Sequence, residues 1–477
     1  MTRINFWLAV LGWGICHPLQ AQTEQFIDLT PQLPMQAIGS RTMDVEAADL
    51  DQDGDLDLVL AKEVQKNWIL WNDGTGQFYL DSTTFFPQVK TYPQGFQGED
   101  SEDVAIFDAD QDGDLDLLFV TEDTDLHEFF LNDGTGHFSL APYQFPHPAK
   151  SNAVLVWDHT GDGFPDVLIG QNGQNALYVN QQDGSFLPDT SGIFPPNTDW
   201  TQDLVLADVN ADGRPDLVEG CDQGQSNLYI QQSDGTFLET PLPASLANTE
   251  TRKVVVGDVE GDGDLDIFLC NVGWNPQANP QDLLLINDGQ GHFTDETAAR
   301  FPYSLVIALD GTFHDFNADG LPDLLVTGDG GLQNFYTYLN DPTNPGHFQA
   351  TLGIFPFFVM STCIGLTHGD FSGDGSEDFY FAVFQGADRL LSGHSLTSLD
   401  ETSMGGIPVE VYPNPVEDQL FLTETLLRSC SIVDMAGQVV MEDIPLVADL
   451  PINVSSLKPG GYVLLVGGRH AVKFIKA

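Results

Sequence analysis

Basic side chains are scarce in this sequence. Its 477 residues hold 16 lysines and arginines against 71 aspartates and glutamates, a formal net charge of −55. Nucleic acid and anionic membrane surfaces would repel such a chain, which leaves cations, polysaccharides and protein surfaces as partners. Cysteine is rarer still, at five residues. Cys16 falls in an N-terminal leader; Cys221, Cys270, Cys363 and Cys430 are too few to frame a chain this long and allow three complete pairings. Cys221 and Cys270 occupy nearly equivalent places in the pattern described below, so a bridge and buried free thiols both remain open. No apolar run beyond the leader is long enough to span a bilayer. There is no nucleophile elbow, no His-Glu zinc spacing and no phosphate-binding glycine loop. The 11 histidines are scattered; His314 and His368 lie beside acidic loops of neighbouring repeats, close enough in the pattern to pair in space, but a core or channel role is the expected one.

The first residues, MTRINFWLAVLGWGICHPLQAQ, place Arg3 before an apolar run and Ala21 at a small-residue cleavage site, so residues 1–21 read as a secretory signal peptide. The composition beyond it, 42% hydrophobic overall, is that of packed cores.

What the sequence has in abundance is one nine-residue pattern. It begins at Asp49 as DLDQDGDLD and recurs from Asp108, Asp158, Asp208, Asp258, Asp315 and Asp370. Spacings of 50 to 59 residues describe a supersecondary repeat. Each copy follows a β-like segment such as DVAIF (103–107) and precedes a short apolar run such as LDLLFV. A hairpin signal comes next, as in WNDGTGQF or LNDGTGHF, where Asp-Gly suits a tight turn. Four strands in about 50 residues make one propeller blade. The expected fold is therefore all-β: a seven-bladed β-propeller over 22–400, a linker over 401–408, and a small β-sandwich over 409–477. The fifth and sixth repeats run past their hairpins into last strands (293–302 and 348–357). The seventh lacks one, and FIDLTPQLP near residues 26–30 is expected to supply it, removing an open edge.

The pattern D-x-(D/N)-x-D-G-x-x-D suits calcium, a hard ion that takes six to eight oxygens. Positions 1, 3, 5 and 9 offer side-chain oxygens, position 7 a carbonyl, and Gly at 6 the sharp turn. The candidate ligands are Asp49, Asp51, Asp53, Asp55 and Asp57; Asp108, Asp110, Asp112, Asp114 and Asp116; Asp158, Thr160, Asp162 and Asp166; Asp208, Asn210, Asp212 and Asp216; Asp258, Glu260, Asp262, Asp264 and Asp266; Asp315, Asn317, Asp319 and Asp323; and Asp370, Ser372, Asp374 and Asp378. Thr160, Glu260 and Ser372 depart from the pattern. Within these 63 loop residues lie 28 of the 71 acids and one basic side chain, Arg214. Up to seven structural calcium ions are expected, and chelation should lower the melting temperature.

Together with the Asn-Asp-Gly-x-Gly-x-Phe hairpin, this pattern resembles the FG-GAP/VCBS repeat family of calcium-dotted propellers like the integrin α-subunit head. The resemblance covers roughly residues 26–395 and implies fold and metal more than function, since the family includes adhesins, lectins and parts of polysaccharide lyases. Tyr412-Pro413-Asn414-Pro415, the Asp434-Met435-Ala436-Gly437 hairpin and Lys473-Phe474-Ile475-Lys476 resemble the C-terminal sorting domain of type IX secretion. That resemblance implies export and release or surface attachment, with the secretion machinery as a partner.

Chain order puts the acidic loops and the Asp-Gly hairpins on one face of the propeller. The longer connections, 81–100, 191–202 and 271–282, fall on the other, where binding residues tend to sit. Candidate ligand-binding residues there are Tyr92, Phe96, Trp200 and Trp274, flat rings that can stack on sugar or anchor a protein, and Asp44, Asp103, Asp203 and Asp310, which recur five positions before four of the loops. The expected function is binding or adhesion toward carbohydrate or protein. The alternative is a polysaccharide-degrading, lyase-like enzyme, which would need basic residues this chain has few of.

Overall fold

In every repeat the ninth residue of the acidic loop is also the first residue of a strand: Asp57–Lys62, Asp116–Thr121, Asp166–Gln171, Asp216–Gln223, Asp266–Val272, Asp323–Asp329 and Asp378–Val383. These second strands are buried almost throughout, which is why they read as unbroken apolar runs and not as alternation. Before each loop runs an inner strand: Thr42–Ala48, Ser101–Phe107, Ser151–Trp157, Trp200–Ala207, Glu250–Gly257, Ile307–His314 and Cys363–Gly369. A third and an outer strand complete a four-stranded antiparallel sheet in each of seven blades.

In this computed structural model each inner strand packs against the next, and the seventh returns to the first, so the blades close into a ring. Sheets bury their faces against one another through apolar clusters shared by adjacent blades. One joins Val59, Trp71, Phe119 and Phe130; another joins Phe268, Phe301, Leu324 and Tyr338. The N-terminal latch is present. Gln25–Asp28 is the outer strand of the seventh blade, beside Arg389–His394. Phe26 is buried there against Phe316, Phe355 and Phe379. The fifth blade departs from expectation: its outer strand spans only Phe293–Asp295, and the chain then forms a helical turn, Thr297–Arg300.

The chain divides into two compact units, Met1–Gly393 and His394–Ala477. The second contains a three-stranded sheet and a four-stranded sheet around Val416, Leu420, Ile432, Ile452, Val454 and Leu464, as a small sandwich requires. The structure describes residues 25–34, 41–80, 100–122, 127–141, 144–145, 149–304, 307–329, 334–351, 354–355, 361–394, 411–412, 416–417, 419–422, 429–434, 439–445, 451–466 and 470–476. The signal peptide, the linker and Tyr92 and Phe96 lie outside the described residues. Cys221, Cys270 and Cys363 are buried free thiols, so the bridge between the first two is not formed.

Candidate functional site

Each acidic loop is closed by its first aspartate. Asp49 Oδ1 accepts the Asp53 amide (3.1 Å) and Oδ2 the Gly54 amide (3.1 Å), and Asp158, Asp208, Asp258, Asp315 and Asp370 do the same in their loops. The loops then fall into two kinds. Where position 3 is Asp or Asn, its Oδ1 accepts the position-5 amide, as from Asp51, Asp110, Asn210 and Asn317. The residue between them, Gln52, Gln111, Ala211 or Ala318, is left-handed with φ of 55° to 60°. Where position 3 is Thr160, Glu260 or Ser372, position 4 is glycine. In two of these loops the first aspartate also accepts that glycine's amide, Gly161 or Gly261, at 2.7 Å. The carboxylate is then satisfied by backbone alone.

The left-handed glutamines link neighbouring loops. Gln52 Nε2 donates to Gly113 O (3.0 Å) and Asp114 Oδ1 (2.8 Å) in the second loop, and Gln111 Nε2 donates to Gly163 O in the third. A non-glycine residue in that conformation costs roughly 1–2 kcal/mol, which these bonds offset. Loops 4 and 5 carry cations of their own: Arg214 pairs with Asp212, and Arg300 Nη1 lies 2.6 Å from Glu260 Oε1.

The ninth-position aspartates are buried, and their oxygens accept backbone amides. Asp116 Oδ2 takes the Ala109 amide (3.0 Å) and Oδ1 the Asn132 amide (2.8 Å), which joins its loop to the hairpin of the same blade. The corresponding hairpin amides of residues 72, 180, 231, 287, 340 and 393 bind Asp57, Asp166, Asp216, Asp266, Asp323 and Asp378. Burial pushes Asp57, Asp116 and Asp323 up to about 7 and Asp216, Asp266 and Asp378 up to about 6, against the opposing pull of these donors.

Two loops gather carboxylates closely enough for one ion. Oxygens of Asp49, Asp51 and Asp53 lie within 4.8 Å of one another, and so do those of Asp108, Asp110 and Asp116. In the second trio Asp108 Oδ1 is buried without a hydrogen-bond partner among the described residues, an unmet acceptor that a cation fits. A third trio, Asp100, Glu102 and Glu122, lies outside the loops. The other five loops form no such trio among the described residues.

The hairpin asparagine was not singled out from sequence. Asn132 Nδ2 donates to Leu50 O (2.8 Å) in the loop of the preceding blade and to Leu115 O (3.1 Å) in its own. Asn180, Asn287, Asn340 and Asn72 repeat this; Asn72 reaches Phe371 O at 2.8 Å and ties blade 1 to blade 7. Asparagine at this place in five of the seven hairpins was the available signal. Glu219 was missed as well: a buried carboxylate in an otherwise apolar strand position, it accepts from Asn175, Asn197, Thr201, Asn227 and Tyr229. Asn197 lies in the connection leading to Trp200, so Glu219 holds that connection. His314 and His368 are neighbours, with ring centroids 6.4 Å apart.

On the opposite face every inner strand carries a β-bulge near its start. The bulges bring Asp44, Asp103, Asp203 and Asp310 to one cavity of about 60 Å³ at the channel mouth, with Glu102, Asn152, Gln202, Arg252 and Lys253 also lining it. The acids also clip blades together. Asp44 accepts the Val104 amide, Asp103 the Val154 amide and Asp203 the Val254 amide, each in the next blade. Lys253 Nζ lies 3.6 Å from Asp203 Oδ1, and that carboxylate holds the ammonium well above its ordinary range. Trp274 is 54% exposed, with the Arg252 guanidinium 5.1 Å from its ring; Trp200 is 39% exposed at the head of the fourth inner strand.

Fold and loops together define a repeat β-propeller with an acidic loop in each blade. The FG-GAP-like repeat matches residues 49–119, 108–169, 158–219, 208–269 and 315–381, more than half of the chain, and the chain belongs to that family. Residues 410–476 match the secretion system C-terminal sorting domain, which indicates export by the type IX route and interaction with its machinery. Among the described residues no helix is long and apolar enough to cross a membrane. Human cartilage acidic protein 1 is 28% identical over 166 residues, 33% of this chain and 25% of that protein; the Xenopus tropicalis protein is 26% identical over 165 residues. The chain thus spans about a quarter of the length of the curated relatives it matches. Among solved structures, BBS1N in complex with ARL6DN covers 79% of this chain and 99% of its own at 12% identity and a TM-score of 0.50, a likeness of fold alone.

Proposed function

We propose that this protein is an exported, calcium-loaded propeller that binds carbohydrate or protein through the face opposite its acidic loops and does not turn its ligand over. The observation that carries this reading is the channel-mouth cavity, to which all seven blades contribute side chains, beside an exposed tryptophan on a lengthened connection. A ring built from every blade holds such a site rigid.

Calcium would be held by Asp49, Asp51 and Asp53 in the first loop and by Asp108, Asp110 and Asp116 in the second, with the remaining loops as further candidates. Its contribution there is charge neutralisation and a fixed turn. The chain's own residues do the rest: first-position aspartates close the loops, ninth-position aspartates join loop to hairpin, and hairpin asparagines join blade to blade.

The test is binding of the purified protein to immobilised glycans, with calcium and after chelation. Calcium-dependent binding to one sugar class, lost in Trp274→Ala, is the expected result for a carbohydrate ligand. Silence from folded, calcium-loaded protein moves the ligand to a protein; degradation of a polysaccharide in the same panel would overturn the binding-only reading.

A further inference from the structure

The channel mouth is lined mostly by acceptors. Asp44, Glu102, Asp103, Asp203 and Asp310 face the cavity against two cations, Arg252 and Lys253. Both cations have partners already: Lys253 rests on Asp203, and Arg252 lies over Trp274. Asp310 differs from the other three ring aspartates. It is 6% exposed, its Oδ1 accepts the adjacent Gly311 amide at 2.7 Å, and its Oδ2 makes no hydrogen bond among the described residues. Where Asp44, Asp103 and Asp203 each clip an amide of the next blade, Asp310 leaves an acceptor at the cavity wall.

A bare ion does not match this spacing. The ring aspartates do not bring three carboxylate oxygens within 4.8 Å of one another among the described residues, as the calcium-loop trios do, and the trio that includes Glu102 is completed by Asp100 and Glu122, which do not line the cavity. Calcium needs six to eight oxygens at about 2.3–2.6 Å. An ammonium group instead reaches separated carboxylates through three directed N–H bonds of about 2.7–2.9 Å. Sugar hydroxyls also donate, but five carboxyl groups face two cations here, and burial pushes Glu102 up to about 8 and Asp103 well above its ordinary range, so an entering cation favours their charged forms where a neutral donor does not. Its volume of about 60 Å³ fits an ammonium headgroup, with the rest of the ligand outside the cavity. Burial pushes Asp310 up to about 7, opposed by Lys253, so a further positive partner would favour its charged form.

We propose that the channel mouth binds an alkylammonium group, presented by a ligand whose remaining surface rests on Trp274 and its surroundings. The proposal rests on the reading of this face as the binding face. The same chemistry is offered by an amino sugar and by a lysine side chain.

The test is calorimetric titration of the full, calcium-saturated protein with paired probes. A glucosamine tetramer is compared with its N-acetylated form, and an acetyl-lysine amide with its norleucine counterpart. Each ammonium probe that binds should do so at least tenfold more tightly than its neutral partner, and the two pairs tell amino sugar from lysine. Asp310→Asn should weaken that binding about tenfold or more. Glu102→Gln should weaken it too, and because Glu102 clips no neighbouring blade it reads the site even if Asp310→Asn misfolds. Equal binding of charged and neutral probes overturns the proposal; if that binding is lost in Trp274→Ala, the binding face stands and only the ammonium assignment falls. No binding of any probe by folded protein also overturns it.

Discussion

Metal removal should reverse the usual pH dependence of an acidic protein. Six ninth-position aspartates are buried in the folded state, and their carboxyls are pushed up to about 6 or 7. Unfolded, they would titrate near 3.9. Between those values the folded chain holds more protons than the unfolded chain, so stability is fully present below about pH 4 and is lost as pH rises through 6 to 7. A tenfold difference in proton affinity between the two states is worth about 1.4 kcal/mol, so even that much at each of six sites comes to about 8 kcal/mol. For a folded unit of about 370 residues unfolding with an entropy of about 0.8 kcal/mol per degree, that is a difference of about 10 °C. The assay is calorimetry of metal-stripped protein at about pH 5 and about pH 8, repeated with excess calcium. The stripped protein is expected to melt about 10 °C lower at the higher pH, and calcium should remove the deficit. A stripped protein that melts as high at pH 8 as at pH 5 would refute this account of the buried carboxylates.

Three other outcomes are expected. Phe26→Ala empties a pocket among Phe316, Phe355 and Phe379 and should cost about 3–5 kcal/mol in denaturant unfolding, while deletion of residues 25–28 should also promote self-association through the exposed edge of the seventh blade. Asn132→Ala leaves the buried Leu50 carbonyl without its donor and should cost about 1–3 kcal/mol by the same measurement, with no comparable loss for Gln181→Ala on the exposed hairpin of the next blade. Glu219→Leu strands five polar groups, including Asn197, and should cost about 3–5 kcal/mol while raising proteolytic cleavage within residues 189–199; an unchanged digestion pattern would show that the connection holds itself.

The number of blades, the acidic loops and the latch strand were legible in the sequence because each is written within one repeat period or, for the latch, as one missing strand. The aspartate spacing repeats, the Asp-Gly turns repeat, and four of the inner strands carry an aspartate five positions before their loop. Asp44, Asp103, Asp203 and Asp310 were visible by that offset, yet their meeting in one cavity was not. It depends on a bulge in each strand and on ring closure, which bring together residues that are 50 to 60 or more positions apart.

Chemistry that crosses blades was the part only the tertiary structure decided. Glu260 reads in sequence as a candidate calcium ligand that departs from the pattern, and in space it meets Arg300, supplied by a helical turn that replaces the end of an outer strand. Asn72 reads as a turn residue, and in space it closes the ring onto Phe371, 299 positions away. Sequence by itself determined the repeated unit, because local hydrogen bonding and strand periodicity need only near neighbours. Which acids are clips, which face a cavity and which already have a cation depends on the partners that closure of the ring puts beside them.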